Sequence, residues 1–149
     1  SPFNAWILLK GLETLKYRMI QHCHNAQKIA DYLSQHPKVE KIIYPGLENH
    51  PQYSLAKKQM LQPGSIVTFV IKDNSAFQFI NGLNLFDISN NFGDAKSFVT
   101  HPATTTHRVI GDVGIKKLNI SDNMILLSIG LEDEEDLIED IDQAFQKIS

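Results

Sequence analysis

Pro63-Gly64-Ser65-Ile66-Val67-Thr68-Phe69-Val70-Ile71 is the stretch on which the fold turns. A turn dipeptide precedes six consecutive residues that are all β-branched or aromatic, the composition that favours extended backbone. The pattern predicts a strand over 66–71. Ahead of it, Val39–Tyr44 reads as a second strand stopped by Pro45-Gly46, and a helix is expected over 51–60. Further upstream, Leu8, Leu12, Leu15, Met19, Cys23, Ala26, Ala30 and Leu33 recur at steps of three or four. That spacing predicts one long amphipathic helix from Phe3 to Ser34, with Pro2 in its first turn and Gln35-His36-Pro37 ending it. Such a helix spans about 45 Å at 1.5 Å per residue, more than the core of a lone domain of this size needs, so it is expected to bridge to another domain.

Downstream, Phe77, Ile80 and Leu83 place a helix over 75–83, followed by short strands at 86–89 and 97–100. A polar loop over 102–107, a weak helix over 110–118, a strand over 124–129 and a final helix over 133–148 complete the chain. No internal repeat or linker interrupts it. The expected architecture is α/β of the α+β type: one small, mostly antiparallel sheet covered by helices, with a long amino-terminal helix.

The 149 residues are 42% apolar and 21% charged, with one cysteine. This excludes a disordered, collagen-like or disulfide-stapled chain and fits a single domain. No run approaches the roughly 18 apolar residues of a membrane span, and Cys23 has no second cysteine with which to pair. A cytoplasmic location is expected, with Cys23 an ordinary small residue. The chain opens Ser1-Pro2-Phe3-Asn4 without methionine and is expected to be a piece of something longer.

Residues 131–149 hold eight acids and one base, a net of −7, against +4 for the rest. Leu137, Ile138, Ile141, Ala144, Phe145 and Ile148 recur at helical spacing through the same stretch. The acids crowd its start, where the helix dipole favours them. They are therefore expected to form a solvated helix face, not an arm for nucleic acid or a partner. His22 and His24, two apart on a helix, diverge by about 200° and cannot chelate one metal. With His36 and His50 they are expected at the surface, and no metal site is expected.

The segment from Asn90 to Arg108 gathers amides, three consecutive threonines, two histidines, a lysine and an arginine between two strands. Hydroxyls, amides and cations held by a sheet suit an anionic small molecule such as a carboxylate or phosphate. A loop in which threonine and Asx turns cap their own backbone fits the composition equally well.

Four stretches, Ser1–Leu15 (SPFNAWILLKGLETL), Val39–Pro51 (VEKIIYPGLENHP), Gly93–His107 (GDAKSFVTHPATTTH) and Ile120–Phe145 (ISDNMILLSIGLEDEEDLIEDIDQAF), together resemble the pyridoxal-phosphate (PLP) enzymes of cysteine and methionine metabolism. This transsulfuration family includes cystathionine synthases and lyases, methionine γ-lyase and the homoserine-ester sulfhydrylases. Ser89–His107 resembles most the O-succinylhomoserine or O-acetylhomoserine sulfhydrylases, the lyases usually carrying a Ser-Leu-Gly-Gly version. The resemblance covers the small carboxy-terminal, substrate-covering domain of a fold type I enzyme. In that architecture a preceding large domain holds the PLP and its lysine, and no lysine here stands in the family's Ser-x-Thr-Lys context.

The resemblance implies that the full-length protein replaces the γ-ester group of an O-acylhomoserine with sulfide to give homocysteine, PLP serving as electron sink. It implies an amino-acid substrate and a homotetramer built mainly through the large domain. No catalytic residue is then expected in residues 1–149, and the piece alone is expected to be inactive. Asn91 falls where many relatives have a serine near the substrate α-carboxylate, and Thr106 at the threonine of the family's TTH motif. One position departs from the pattern. The family reads ISD-x-x-x-R-x-S-V-G-L-E, its arginine pairing with the substrate carboxylate, and this chain has Leu126 there. Loss of such a bidentate contact costs about 1.5–3 kcal/mol. Arg108, directly after the TTH motif, is the candidate to replace it. Two alternatives remain: a related cystathionine γ-synthase, γ-lyase or methionine γ-lyase domain, and a non-catalytic binding or assembly module that keeps the fold.

Overall fold

A computed structural model describes residues 1–148. Six helices are present, α1 (Pro2–Glu13), α2 (Leu15–Gln35), α3 (Tyr53–Gln59), α4 (Ala76–Gly82), α5 (Gly111–Lys117) and α6 (Glu134–Gln146). Five strands, β1 (Val39–Ile43), β2 (Ile66–Ile71), β3 (Asp87–Ile88), β4 (Phe98–Thr100) and β5 (Met124–Ser128), form one sheet in the order β1-β2-β5-β4-β3. The pairs β1–β2, β2–β5 and β4–β5 are antiparallel and β3–β4 is parallel. The expected small, mostly antiparallel sheet covered by helices is what the chain forms.

The expected helix over 3–34 is instead two helices. Thr14 interrupts the regular helix, at φ −104° and ψ 0°, and its N–H turns back to the Leu12 carbonyl. Arg18 stabilises the break, donating from its guanidinium to the Gly11 carbonyl at 2.7 Å and to Thr14 Oγ1 at 3.3 Å. A β-branched hydroxyl residue has low helix propensity, and here a neighbouring side chain takes up the polar groups that the break frees.

Alternation along β2 and β5 decides where the core sits. Val67, Phe69 and Ile71 of β2, and Ile125, Leu127 and the following Ile129, point to one face with Val99 of β4, and all are buried. Onto them pack Ala26, Ile29, Ala30 and Leu33 of α2, Phe79 of α4, and Leu137, Ile141 and Phe145 of α6. Phe79 lies edge-on to Phe69 at 5.5 Å and against Phe145 at 4.6 Å, a geometry worth about 0.5–1.5 kcal/mol per pair beyond the area buried.

Two expectations about polar residues fail because long-range partners override local pattern. The acidic face of α6 is not wholly solvated. Asp140 is 5% exposed and accepts the backbone N–H groups of Asn84 and Leu85 at 2.8 and 2.9 Å, with Gln143 Nε2 at 2.9 Å. Nor is His22 at the surface: it is buried in α2 and its Nδ1–H donates to the Ile129 carbonyl at 2.7 Å. His36 is half-buried and stacks on Phe145 at 3.9 Å. Cys23 is a buried free thiol, and burial pushes its pKa up. The 3₁₀ turn Arg108–Ile110 leads into α5, so the weak helix expected over 110–118 is present. Among the described residues no helix is long and apolar enough to cross a membrane.

Candidate functional site

The polar segment expected from sequence becomes two connections flanking β4, one entering its start beside the end of β5 and the other leaving its end for the start of β5. The first, from β3 to β4, is tied to the turn after β5. Ser97 donates its N–H and hydroxyl to the two oxygens of Glu132 at 2.7 and 2.8 Å, and its Oγ accepts the Gly130 N–H at 2.8 Å. Leu131 N–H donates to the Ala95 carbonyl at 2.7 Å, an approach so close that a Cβ on Gly130 would meet that oxygen at 2.4 Å. Gly93, at φ +81°, turns the loop so that its N–H reaches Ser128 Oγ at 3.3 Å. From α2, Asn25 Nδ2 donates to the carbonyls of Gly130 and Glu132 at 3.1 and 2.8 Å, beside the His22 bond. The far Nε2 of His22 is buried without a partner among the described residues.

The second connection runs from β4 to β5. His101, 4% exposed, follows Thr100 directly. Its Nδ1 meets Thr104 Oγ1 at 2.8 Å and its Nε2 meets the Asp122 carbonyl at 2.7 Å. A carbonyl only accepts, so Nε2 carries the proton. The Phe77 ring lies over the imidazole at 4.5 Å.

Leu126 pairs across the ladder with Thr100 on one side and Thr68 on the other. It is half-buried and points away from the core face that Ile125 and Leu127 share. Thr100 Oγ1 donates to the Ser89 carbonyl, and Asn91 N–H donates to Ser89 Oγ at 3.3 Å. Asn91 is thereby tethered, through Ser89 and Thr100, to the strand pair that holds Leu126. Thr106 and Arg108 lie beyond His101, on the second connection. Thr106 Oγ1 is 2.8 Å from His107 Nδ1, and the exposed Arg108 opens the 3₁₀ turn. Among the described residues no carboxylate pairs with Arg108.

A groove of about 500 Å³ beside these loops is lined by Ser89, Asn90, Thr100, His101, Thr104 and Thr105, with Phe77 and Ile80 beneath. Asn90, His101, Thr104 and Thr105 belong to the polar segment flagged from sequence, while Asn91, Thr106 and Arg108 do not line the groove. Sequence reasoning assigned His101 and Ser97 no holding role of their own, and it missed Glu132. The three-residue spacing of His101 and Thr104 was a legible signal for the first of them. Among the described residues no group of three His, Cys, Asp or Glu side chains is placed to hold a metal ion.

The family model for Cys/Met metabolism PLP-dependent enzymes matches residues 1–146. The chain is 52% identical, over 97% of its length, to O-succinylhomoserine sulfhydrylase of Mycobacterium tuberculosis, and covers 37% of that protein. It is 43% identical, over 98% of its length, to L-methionine gamma-lyase of Pseudomonas putida, again covering 37%. The crystal structure of a Campylobacter jejuni protein described as an O-acetylhomoserine (thiol)-lyase superposes with a TM-score of 0.93 at 39% identity, over 98% of this chain and 35% of that one. Its N'-pyridoxyl-lysine-5'-monophosphate lies outside the matched span. The chain thus spans little more than a third of the length of these relatives.

The lysines present here do not fit that cofactor. A lysine that condenses with an aldehyde must give up its proton readily, which burial or a neighbouring cation promotes. Every lysine but Lys38 is exposed. Lys38 commits its ammonium to the carbonyls of Phe145 and Ile148 at 3.0 and 2.7 Å. Lys96 is shifted the wrong way: hydrogen bonding and charge pairing with Asp87 at 3.0 Å hold its pKa above the usual value. None of the lysines here is therefore placed to hold that cofactor, and by its match over residues 1–146 the chain belongs to the PLP-dependent enzyme family of cysteine and methionine metabolism.

Proposed function

We propose that these residues are the substrate-covering, carboxy-terminal part of a longer enzyme that replaces the acyl group of an O-acylhomoserine with sulfide, giving homocysteine. The observation that carries this reading is the 52% identity to an O-succinylhomoserine sulfhydrylase over nearly the whole chain, against 43% for a methionine gamma-lyase over the same span. In this reading the amino acid's carboxylate lies against the end of the β4–β5 ladder. Asn91 and Thr106 offer it hydrogen bonds, and Arg108 supplies the charge that Leu126 does not. A guanidinium with no carboxylate partner among the described residues is free to take an anionic ligand bidentately.

The same reading makes residues 1–149 one domain of a cytoplasmic homotetramer whose other domain holds the PLP. Phe3, Trp6, Ile7, Leu8, Leu9 and Leu12 of α1 are all exposed and distributed around most of the helix. A helix apolar on most sides is suited to enclosure by further protein. The amino-acid substrate is the only small-molecule partner proposed, with no nucleic acid or membrane.

The test is the gene product that contains this chain, supplied with PLP, O-succinylhomoserine and sulfide. Homocysteine formation is expected. Release of a 2-oxo acid from methionine at a higher rate, without γ-replacement, would instead favour the lyase reading, which identities of 40–43% to several methionine gamma-lyases keep in view. Residues 1–149 alone should show neither turnover nor a new visible absorption band on adding PLP. Such a band would sink the assignment of the cofactor lysine elsewhere.

A further inference from the structure

We infer that His101 is a positioning residue whose buried imidazole clasps the neck of residues 104–122, making that segment a flap that opens independently of the sheet. The inference deepens the reading above, since the flap carries Thr106 and Arg108, but the clasp itself stands on the geometry of His101.

The flap makes up most of the connection from β4 to β5, which leaves the sheet after Thr100, the ladder partner of Leu126. One side chain holds both ends of it: Thr104 at 2.8 Å and Asp122, eighteen residues later, at 2.7 Å. The clasp survives either charge state of the ring, because the threonine hydroxyl can donate to a neutral Nδ1 or accept from a protonated one. The Thr104 and Thr105 N–H groups and the Thr105 hydroxyl add bonds to the His101 carbonyl.

Past the neck the segment has almost no hold on the rest of the molecule. The backbone N–H bonds that residues 108–120 make run to carbonyls of residues 105–116, inside the flap itself. Val109, Val113 and Leu118 are 91%, 69% and 58% exposed. Few buried contacts and purely local hydrogen bonds are the marks of a unit that opens at low free-energy cost. Holding the two ends together shortens the free loop, so the location of Arg108 relative to the Leu126 face is set at the neck.

Native-state hydrogen exchange, followed by mass spectrometry on the 149-residue chain, tests the clasp without substrate or cofactor. In His101→Ala, amides of 106–118 should exchange roughly tenfold faster, the loss of about one to two hydrogen bonds, while those of β2 and β5 keep their wild-type rates. Thr104→Val, at an exposed position, should give a smaller acceleration confined to the same amides, and His101→Gln should restore part of the protection. Thr104→Val decides the matter if His101→Ala does not fold. Equal acceleration in β2 and β5 would make His101 simple core support, and no acceleration at 106–118 would mean that it does not hold the neck. Either result overturns the inference. In the longer enzyme Thr104→Val should raise KM for the amino acid severalfold with kcat nearly unchanged; an unchanged KM beside a faster-exchanging flap overturns anchoring by Arg108 and leaves the clasp standing.

Discussion

Leu126 lies directly across the β4–β5 ladder from Thr100, on the sheet face turned away from the core. An apolar side chain thus stands between two threonines, Thr68 and Thr100. Because the position is half-buried and the pleat points it outward, a longer side chain can be placed there without entering the core.

Leu126→Arg should therefore leave the chain folded and, in the longer enzyme, change KM for the amino-acid substrate little, because in the proposed reading Arg108 already holds the carboxylate. Arg108→Ala should raise KM roughly 10- to 150-fold, the loss of a charge-assisted contact worth about 1.5–3 kcal/mol. Steady-state kinetics on both variants checks it. A large fall in KM for Leu126→Arg, or an unchanged KM for Arg108→Ala, would show that Arg108 does not hold the carboxylate.

Asp140 ties the start of the β3 segment to α6 through two backbone N–H groups. Asp140→Ala removes the acceptor of both donors, which sit on residues water can reach, and should destabilise the fold by roughly 1–2 kcal/mol, the scale of a few lost hydrogen bonds. Asp140→Asn, which keeps one acceptor oxygen, should cost less. Urea denaturation gives both values, and a loss under about 0.5 kcal/mol for the alanine variant, the range of an ordinary surface change, would contradict a structural role.

Burial lowers the pKa of His36, opposed in part by Asp142 and assisted by Lys38 and Lys72. The geometry favours the neutral ring, since Nδ1 accepts the Lys38 N–H at 3.3 Å. The unfolded chain then binds a proton at higher pH than the folded one, so this contribution is complete above about pH 6.5 and is lost as pH falls toward the lowered folded value. His36→Asn retains an acceptor without titrating in this range. Thermal melts between about pH 5 and 8 should show a shallower pH dependence in the variant, and identical slopes would refute the assignment.

None of the side chains of α1 is buried. Deleting residues 1–13 should therefore leave the melting temperature nearly unchanged while reducing binding of an apolar dye and any association through the exposed helix. Sedimentation and dye fluorescence check this, and a large fall in melting temperature would mean that α1 supports this fold directly.

Much of the fold was legible because its signals are local. The six β-branched and aromatic residues of β2 marked a strand with the bounds the structure has. The apolar spacing of α6 marked a helix, and Asp133 caps it by accepting the Glu135 N–H at 2.9 Å. The break at Thr14 escaped because apolar spacing continues through it, while its cause is a guanidinium reaching back to Gly11. Asp140, His22 and His101 escaped for a related reason. Each carries an ordinary surface-type side chain in sequence, and each is buried by partners on other elements.

By itself the sequence determined the order of strands and helices, the apolar face of each, and the family. All of these depend on residues close in the chain or on motifs read in order. Tertiary structure alone decided which polar groups meet: His22 with Ile129 at a separation of 107 residues, Tyr32 with Asp142 at 110, and Thr104 with Asp122 through His101. A buried polar group must find a partner or bear the cost of desolvation. Which partner it finds depends on how distant segments pack, and periodicity along the chain carries no record of that.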